Sequence, residues 1–283
     1  MDKPILISPP SRPGWEAHLS LRFTPQGQRT CLTHSHRGPL QVQRPFYPEA
    51  NGTCHVYILH PPGGVVGGDI LGIEAELAPA AQVLLTTPAA TKFYRSSGAT
   101  ARQTQTLRVA AGAALEWLPQ ETIVFDGAQM HSLTRVELCG DAGFIGWEIL
   151  CLGRPAAGET FVHGTCRLGF EAWRDGIPLY LERGRYEGGS ELLHAPWGLH
   201  GRPVTGNLVC VTKQPGLAEA VRAAVAEPAA GVLFGVSYLE DVLICRYLGA
   251  STQQARHLFS RVWSMLRPRV LEKAVCAPRI WNT

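Results

Sequence analysis

Apolar residues along the first 210 positions come in short alternating or compact runs, and Gly, Pro, Asn or Asp falls between nearly every pair of runs. Side chains on a strand alternate between two faces, and tight turns need residues of special backbone geometry, so this is strand-and-turn patterning. It predicts strands over His18–Phe23, Leu40–Arg44, His55–Leu59, Ile70–Leu77, Val83–Thr87, Thr104–Val109, Leu115–Leu118, Leu133–Leu138 and Phe144–Leu150. A spacing of roughly ten residues per strand, with 30 Gly and 21 Pro to make the turns, points to a mainly β fold.

Three segments echo one another: LAPAAQVLL from Leu77, VAAGAALEW from Val109 and LCGDAGFIGW from Leu138. Each sets a small-residue turn between two apolar strands, and they recur about every 30 residues, as stacked, solenoid-like β-layers would. A meander or sandwich of the same strands predicts nearly the same pattern. About two α-helices follow, toward the C-terminus. Leu217–Ala226, with Leu217, Val221, Ala224 and Val225 on one face, lies between Pro215 and Pro228. A second helix opens at Ser251 as N-cap with Gln254 in the capping-box position, and carries Ala255, Leu258, Phe259, Val262, Trp263 and Leu266 on one face until Pro268 ends it. No linker splits the chain, which predicts a single domain over residues 1–283.

Composition sharpens this picture. Charged residues make up 17% and hydrophobic ones 45%, against about 25% charged in an average soluble domain. Such a chain has a large core or faces that a partner covers, and is expected to aggregate when alone. A net charge of +3 is too small to argue for nucleic acid. Only Lys3, Lys92, Lys213 and Lys273 are lysines, so the basic side chains are mostly arginines. Interfaces favour arginine, and a GC-rich genome produces the same bias. The eight cysteines are scattered, without a CxxC, and read as buried reduced thiols. MDKPILISPP lacks the apolar stretch of a secretory leader, and no run reaches the length of a membrane-spanning helix. A cytoplasmic location is expected.

Common catalytic signatures are missing: there is no GxxxxGK[ST], HExxH or GxSxG. The unusual stretches are HPPGGVVGGD from His60, TTPAATKFYRSSGA from Thr86, LEWLPQETIVFDGA from Leu115, and LCLGRPAAGE within the run that follows Glu148. Several carboxylates interrupt apolar runs here. Asp69 follows paired glycines, Glu116, Glu121 and Asp126 punctuate the third stretch, and Glu148 and Glu182 sit in or beside apolar strands. An acid in such a place caps a turn, faces solvent or lines a wet interior.

These blocks, with the terminal PRIWNT, resemble the signature blocks of the UreD (UreH) urease accessory proteins, in the same order and from Trp15 onward. The resemblance implies a largely β-stranded, non-enzymatic scaffold. It implies assembly with UreF, which bridges to the GTPase UreG, and docking of the whole on the urease apoprotein. It implies support for nickel insertion through an internal water-filled tunnel, with Ni2+ in transit and no stably bound cofactor. Asp69, Glu148, Glu182 and Thr91 are the matching tunnel-lining candidates, and Asp126 is a weaker one. No nucleic-acid or membrane partner is implied.

Isolated carboxylates and hydroxyls suit an ion that must be released again, whereas nickel held firmly prefers nitrogen ligands. The histidines form no tight array; His34 and His36 are the close pair, sharing a strand face and read as a surface pair. The rival from another class is a β-fold hydrolase or isomerase using Glu121 or Glu148 with a distant histidine.

Overall fold

The computed structural model describes residues 14–225 and 231–282. The N-terminal MDKPILISPP, the predicted helix end at Ala226, Pro228 and Thr283 lie outside the described residues.

In chain order the strands are β1 (Glu16–Gln26), β2 (Arg29–Arg37), β3 (Gln41–Val42), β4 (Cys54–Leu59), β5 (Ile70–Leu77) and β6 (Gln82–Thr86). There follow β7 (Thr91–Phe93), β8 (Ala101–Val109), β9 (Ala114–Trp117), β10 (Thr122–Val124), β11 (Gln129–Leu138) and β12 (Gly143–Leu152). The last are β13 (Thr165–Arg174), β14 (Ile177–Glu187), β15 (Val204–Val211), β16 (Leu233–Leu239) and β17 (Val242–Gly249). They form two sheets. A seven-stranded sheet runs β14-β13-β11-β8-β5-β1-β2, and a ten-stranded one runs β16-β17-β15-β12-β9-β6-β4-β3, with β7 and β10 pairing beside β12.

The chain climbs from one sheet to the other as a solenoid. Successive coils place β5, β8 and β11 side by side in parallel, and β6, β9 and β12 likewise in the second sheet. The three echoed segments stack in register, with Leu77 against Val109 and Val109 against Leu138. Each makes the same turn: the N–H groups of Ala81, Ala113 and Ala142 donate to the carbonyls of Ala78, Ala110 and Cys139. Antiparallel hairpins, β1 with β2 and β13 with β14, add strands at the ends of the first sheet.

Alternation along these strands divides the apolar residues between two cores. Val56, Leu115, Phe144 and Leu150 meet Leu19, Ile73, Leu107 and Val136 between the sheets. Ile145, Trp147 and Ile149, on the opposite face of β12, meet the helices that cover the second sheet. Those helices are α2 (Gly216–Ala224) and α3 (Thr252–Val270), whereas α1 (Glu191–His194) packs beside β14 and puts Leu193 into the inter-sheet core. The one-turn α1 has no sequence signal, being too short for a periodicity.

Ser251 caps α3 as expected, accepting from the Gln254 N–H at 3.3 Å. Pro268 does not end α3, which continues to Val270. The reason lies one residue back, where the buried Arg267 guanidinium bridges two carboxylates and holds the last turn in place. The terminal block also packs here: Trp281 lies 5.3 Å from the Trp147 ring and 5.5 Å from the Trp263 ring, and donates to Thr86.

All eight cysteines are free thiols, but Cys139 is exposed and Cys31 and Cys276 are half-buried, so only five are buried as expected. Among the described residues no helix is long and apolar enough to cross a membrane.

Candidate functional site

Between the two sheets lies a cavity of about 300 Å³. Its position follows from where inward-facing residues change character. On β12 the inner positions read Phe144, Gly146, Glu148 and Leu150, so one carboxylate falls on an otherwise apolar face. On β8 the inner row changes from Leu107 to Gln105 and Gln103, and on β11 from Val136 to Thr134 and Ser132. Glu182 on β14 and Asn207 on β15 join the same walls. Apolar residues close one end of the inter-sheet space, and polar ones open the other.

Three of the four sequence candidates, Thr91, Glu148 and Glu182, line this cavity. Asp69 lies off its wall. Almost fully buried, its carboxylate accepts the N–H groups of Trp15 at 2.8 Å and Val66 at 2.9 Å, fastening the GGVVGGD loop to the start of β1. The loop's glycines serve close packing: Gly68 adopts φ +93°, and a Cβ on Gly64 would meet the Tyr94 ring at 2.1 Å. Asp69 still reaches the cavity electrostatically. Burial pushes the pKa of His60, on the wall, below its ordinary value, and the Asp69 charge partly opposes that.

Glu148, half-buried on β12, lines the cavity. Burial raises its pKa from 4.5 to about 7, and the Glu182 charge adds to the rise, while the hydrogen bond from Thr134 opposes it. Glu182 accepts from Tyr180 and from Asn207 Nδ2, the latter at 2.9 Å, and Arg246 donates in turn to the Tyr180 hydroxyl. Among the described residues neither Glu148 nor Glu182 enters an ion pair, although Lys92 also contributes to the wall. Gln103 Oε1 is buried on the wall without a hydrogen-bond partner. Unpaired acids and an orphaned amide oxygen in a space this size require water or a cation. Sequence reasoning passed over Gln103, Gln105, Ser132, Asn207 and His60, although their alternation with apolar neighbours was a usable signal.

The remaining acids are occupied elsewhere. Glu121 pairs with Arg256 at 3.4 Å, and Arg256 also bonds Gln120 of the cavity wall. Asp126 accepts from the Val162 and His163 N–H groups at 2.8 and 2.7 Å and from the His163 ring. Burial opposes its ionisation, but these hydrogen bonds outweigh it and hold the carboxyl below the usual carboxylate range. No histidine ring hydrogen-bonds Glu121 or Glu148 among the described residues; the histidine sharing a wall with Glu148 is His60.

A second buried polar cluster sits where α3 meets the second sheet. Arg267, wholly buried, bonds Glu116 at 2.9 and 3.1 Å and Glu49 at 2.6 Å, while His55 Nε2 lies 2.7 Å from Glu49. Trp263 donates to Glu116 at 2.7 Å, and Lys273 Nζ lies 3.7 Å from it. Donor atoms of Glu49, His55 and Cys276 lie within 4.8 Å of one another, a spacing a metal ion could use. The Arg267 guanidinium already bridges both carboxylates, and burial raises the Cys276 thiol pKa, so the cluster is better suited to holding the C-terminal segment than a cation.

The sequence model of the UreD urease accessory protein family matches residues 16–282, almost all of the chain that the two sheets and helices account for. The chain belongs to the UreD family. It is 47% identical over 284 residues to the urease accessory protein UreD of Dechloromonas aromatica, covering 98% of each chain. It is 45% identical to the UreD of Trichormus variabilis over 271 residues, covering 95% of this chain and 97% of that one. It is also 45% identical to the UreD of Klebsiella aerogenes over 278 residues, covering 97% and 99%. Both buried polar clusters lie within the matched residues.

Proposed function

We propose that this chain is a urease maturation factor, a non-enzymatic scaffold that binds apo-urease and, with UreF and UreG, supports nickel insertion. The relatives named as urease accessory proteins support the maturation role. The observation that carries the nickel role is the cavity, where Glu148 and Glu182 share one space of about 300 Å³ with no ion-pair partner among the described residues.

The chemistry of transit follows from the donor set. Ni2+ entering the cavity exchanges part of its water shell for carboxylate oxygens, with Thr91, Gln103 and Asn207 as neutral polar neighbours. Neutral oxygen donors hold nickel weakly enough for release. Glu148 loses its proton as the cation arrives, because a raised pKa is lowered again by a positive charge nearby. Ion and proton therefore exchange, and loading strengthens as pH rises through about 7. Asp69 acts behind the wall, through the loop it fastens and through His60. Exposed Trp15, Ile177, Trp197 and Leu239 are among the apolar positions available for partner contact.

The test is urease maturation at limiting nickel with the Glu148→Ala, Glu182→Ala double variant. UreF binding and melting temperature are expected to stay near wild type while urease nickel content and activity fall. Full activation by the double variant removes the tunnel role and leaves a scaffold alone.

A further inference from the structure

The pair His34–His36 has no part in the cavity. Both residues lie on β2, the last strand of the seven-stranded sheet, and both are exposed. Strand alternation puts them on one side of β2 with Thr30 and Leu32. Thr30 is buried, its hydroxyl accepting the Gln82 N–H of the opposite sheet at 2.8 Å, and Leu32 packs on the inter-sheet core. The imidazoles thus project toward the gap between the sheets, at its open edge. Register fixes the height of His36, which opposes Leu19, and Leu19 opposes Ile73 of the cavity wall; His34 opposes Leu21 and, beyond it, Ala75, one step past that wall. Leu40, four residues beyond His36, lines it too.

Two further details favour metal binding over a plain surface pair. The His36 Nδ1 lies 3.3 Å from the Gly38 carbonyl oxygen. A carbonyl can only accept, so Nδ1 carries the proton and Nε2 is left with its lone pair free, the arrangement that orients and tunes a metal-ligating imidazole. Among the described residues His34 has no hydrogen-bond or ion-pair partner, and no carboxylate pairs with either ring. Two residues apart on a strand places their Cα atoms about 6.6 Å apart, close enough for both Nε2 atoms to meet one ion.

We propose that His34 and His36 form a bidentate divalent-metal site, selective for late first-row ions such as Ni2+, on the exposed end of the edge strand β2. With only two protein ligands the ion keeps most of its waters, so it is held loosely and exchanges freely. Imidazole donors select nickel over magnesium, which favours oxygen. The site stands on its own geometry; only its use as a collecting point beside the cavity rests on the nickel-transit reading.

The experiment is a Ni2+ titration of the full, untagged chain, co-purified with its partner where the chain alone aggregates, read by calorimetry and by histidine proton NMR. Mg2+ serves as the control cation. Wild type is expected to show a Ni2+ site whose binding broadens His34 and His36 signals, and Mg2+ to leave them unchanged. Each single Ala variant should bind about tenfold or more weakly, and H34A/H36A should lose the site at an unchanged melting temperature. Glu148→Gln, Glu182→Gln should retain it. Unchanged Ni2+ affinity and stoichiometry in H34A/H36A overturns the proposal. If the rim site is lost in H34A/H36A, but the cavity variants still mature urease fully, the transit reading fails and the metal site stands.

Discussion

Glu116 and Glu148 stand on neighbouring strands of the ten-stranded sheet, and the polar clusters around them were built to opposite ends. Around Glu116 and Glu49, both carboxylates meet one guanidinium: Arg267 bridges them, Lys273 Nζ lies 3.7 Å from Glu116 and His55 Nε2 lies 2.7 Å from Glu49. Around Glu148 and Glu182, the partners are a threonine, a tyrosine and an asparagine, and the acids enter no ion pair. The first cluster is closed and neutralised, so it fixes the C-terminal helix and tail. The second lines a cavity and lacks an ion-pair partner among the described residues, the setting that the proposed cation and proton exchange requires. Burial alone therefore says little about what a buried acid does; the charge and space around it decide.

The contrast breaks most visibly at Arg267. Arg267→Met should cost about 3–5 kcal/mol, because it leaves Glu116 and Glu49 buried without their cation. Chemical denaturation checks this, and a loss under 1 kcal/mol would mean that the cluster is solvated and not closed.

Glu148→Gln should act in the other direction. A folded pKa raised to about 7 means that the native state keeps a proton the unfolded chain gives up near 4.5, so stability falls as pH rises between those values and is level above them. The amide removes that penalty. The variant should be more stable than wild type at pH 8, by about 2–3 kcal/mol as an upper figure, and no more stable below pH 4.5. Paired melts at the two pH values decide it; a variant less stable at pH 8 would show that the carboxylate is stabilising where it stands.

Asp69→Ala is expected to cost about 1–2 kcal/mol through the two N–H groups it leaves unpaired, while affecting nickel delivery less than loss of Glu148. A nickel defect as deep as that of the cavity variants, at normal stability, would place Asp69 on the ion's route. The smallest effect belongs to Asp126, whose depressed pKa contributes stability above the ordinary carboxylate range and loses it as pH falls below about 4. Asp126→Asn should flatten that acid limb slightly, as an acid titration of stability would record.

The solenoid was legible because its signal is a repeat: the turns after Leu77, Val109 and Leu138 carry small residues at matching positions, and these stack. Strand β2 was not, because an edge strand buries little and RTCLTHSHR shows only two inward apolar or small residues. Glu148 and Glu182 stood out as acids in apolar strands, but that pattern equally described Glu116, which is locked in an ion cluster 151 residues removed in sequence from its guanidinium. Local sequence carries the alternation that turns a side chain inward. It does not carry the long-range partner that determines whether the acid is neutralised, and Pro268 was misread as a stop for the same reason.

The difference between the two clusters is measured most directly by locating nickel itself. Crystals of the protein in its assembly with UreF, soaked in Ni2+ near pH 8, would be examined by anomalous scattering at the nickel edge. The account predicts a peak inside the cavity within reach of Glu148 and Glu182, reduced near pH 6, and none at Glu49, His55 and Cys276. Nickel between Glu49 and Cys276 with an empty cavity would contradict it.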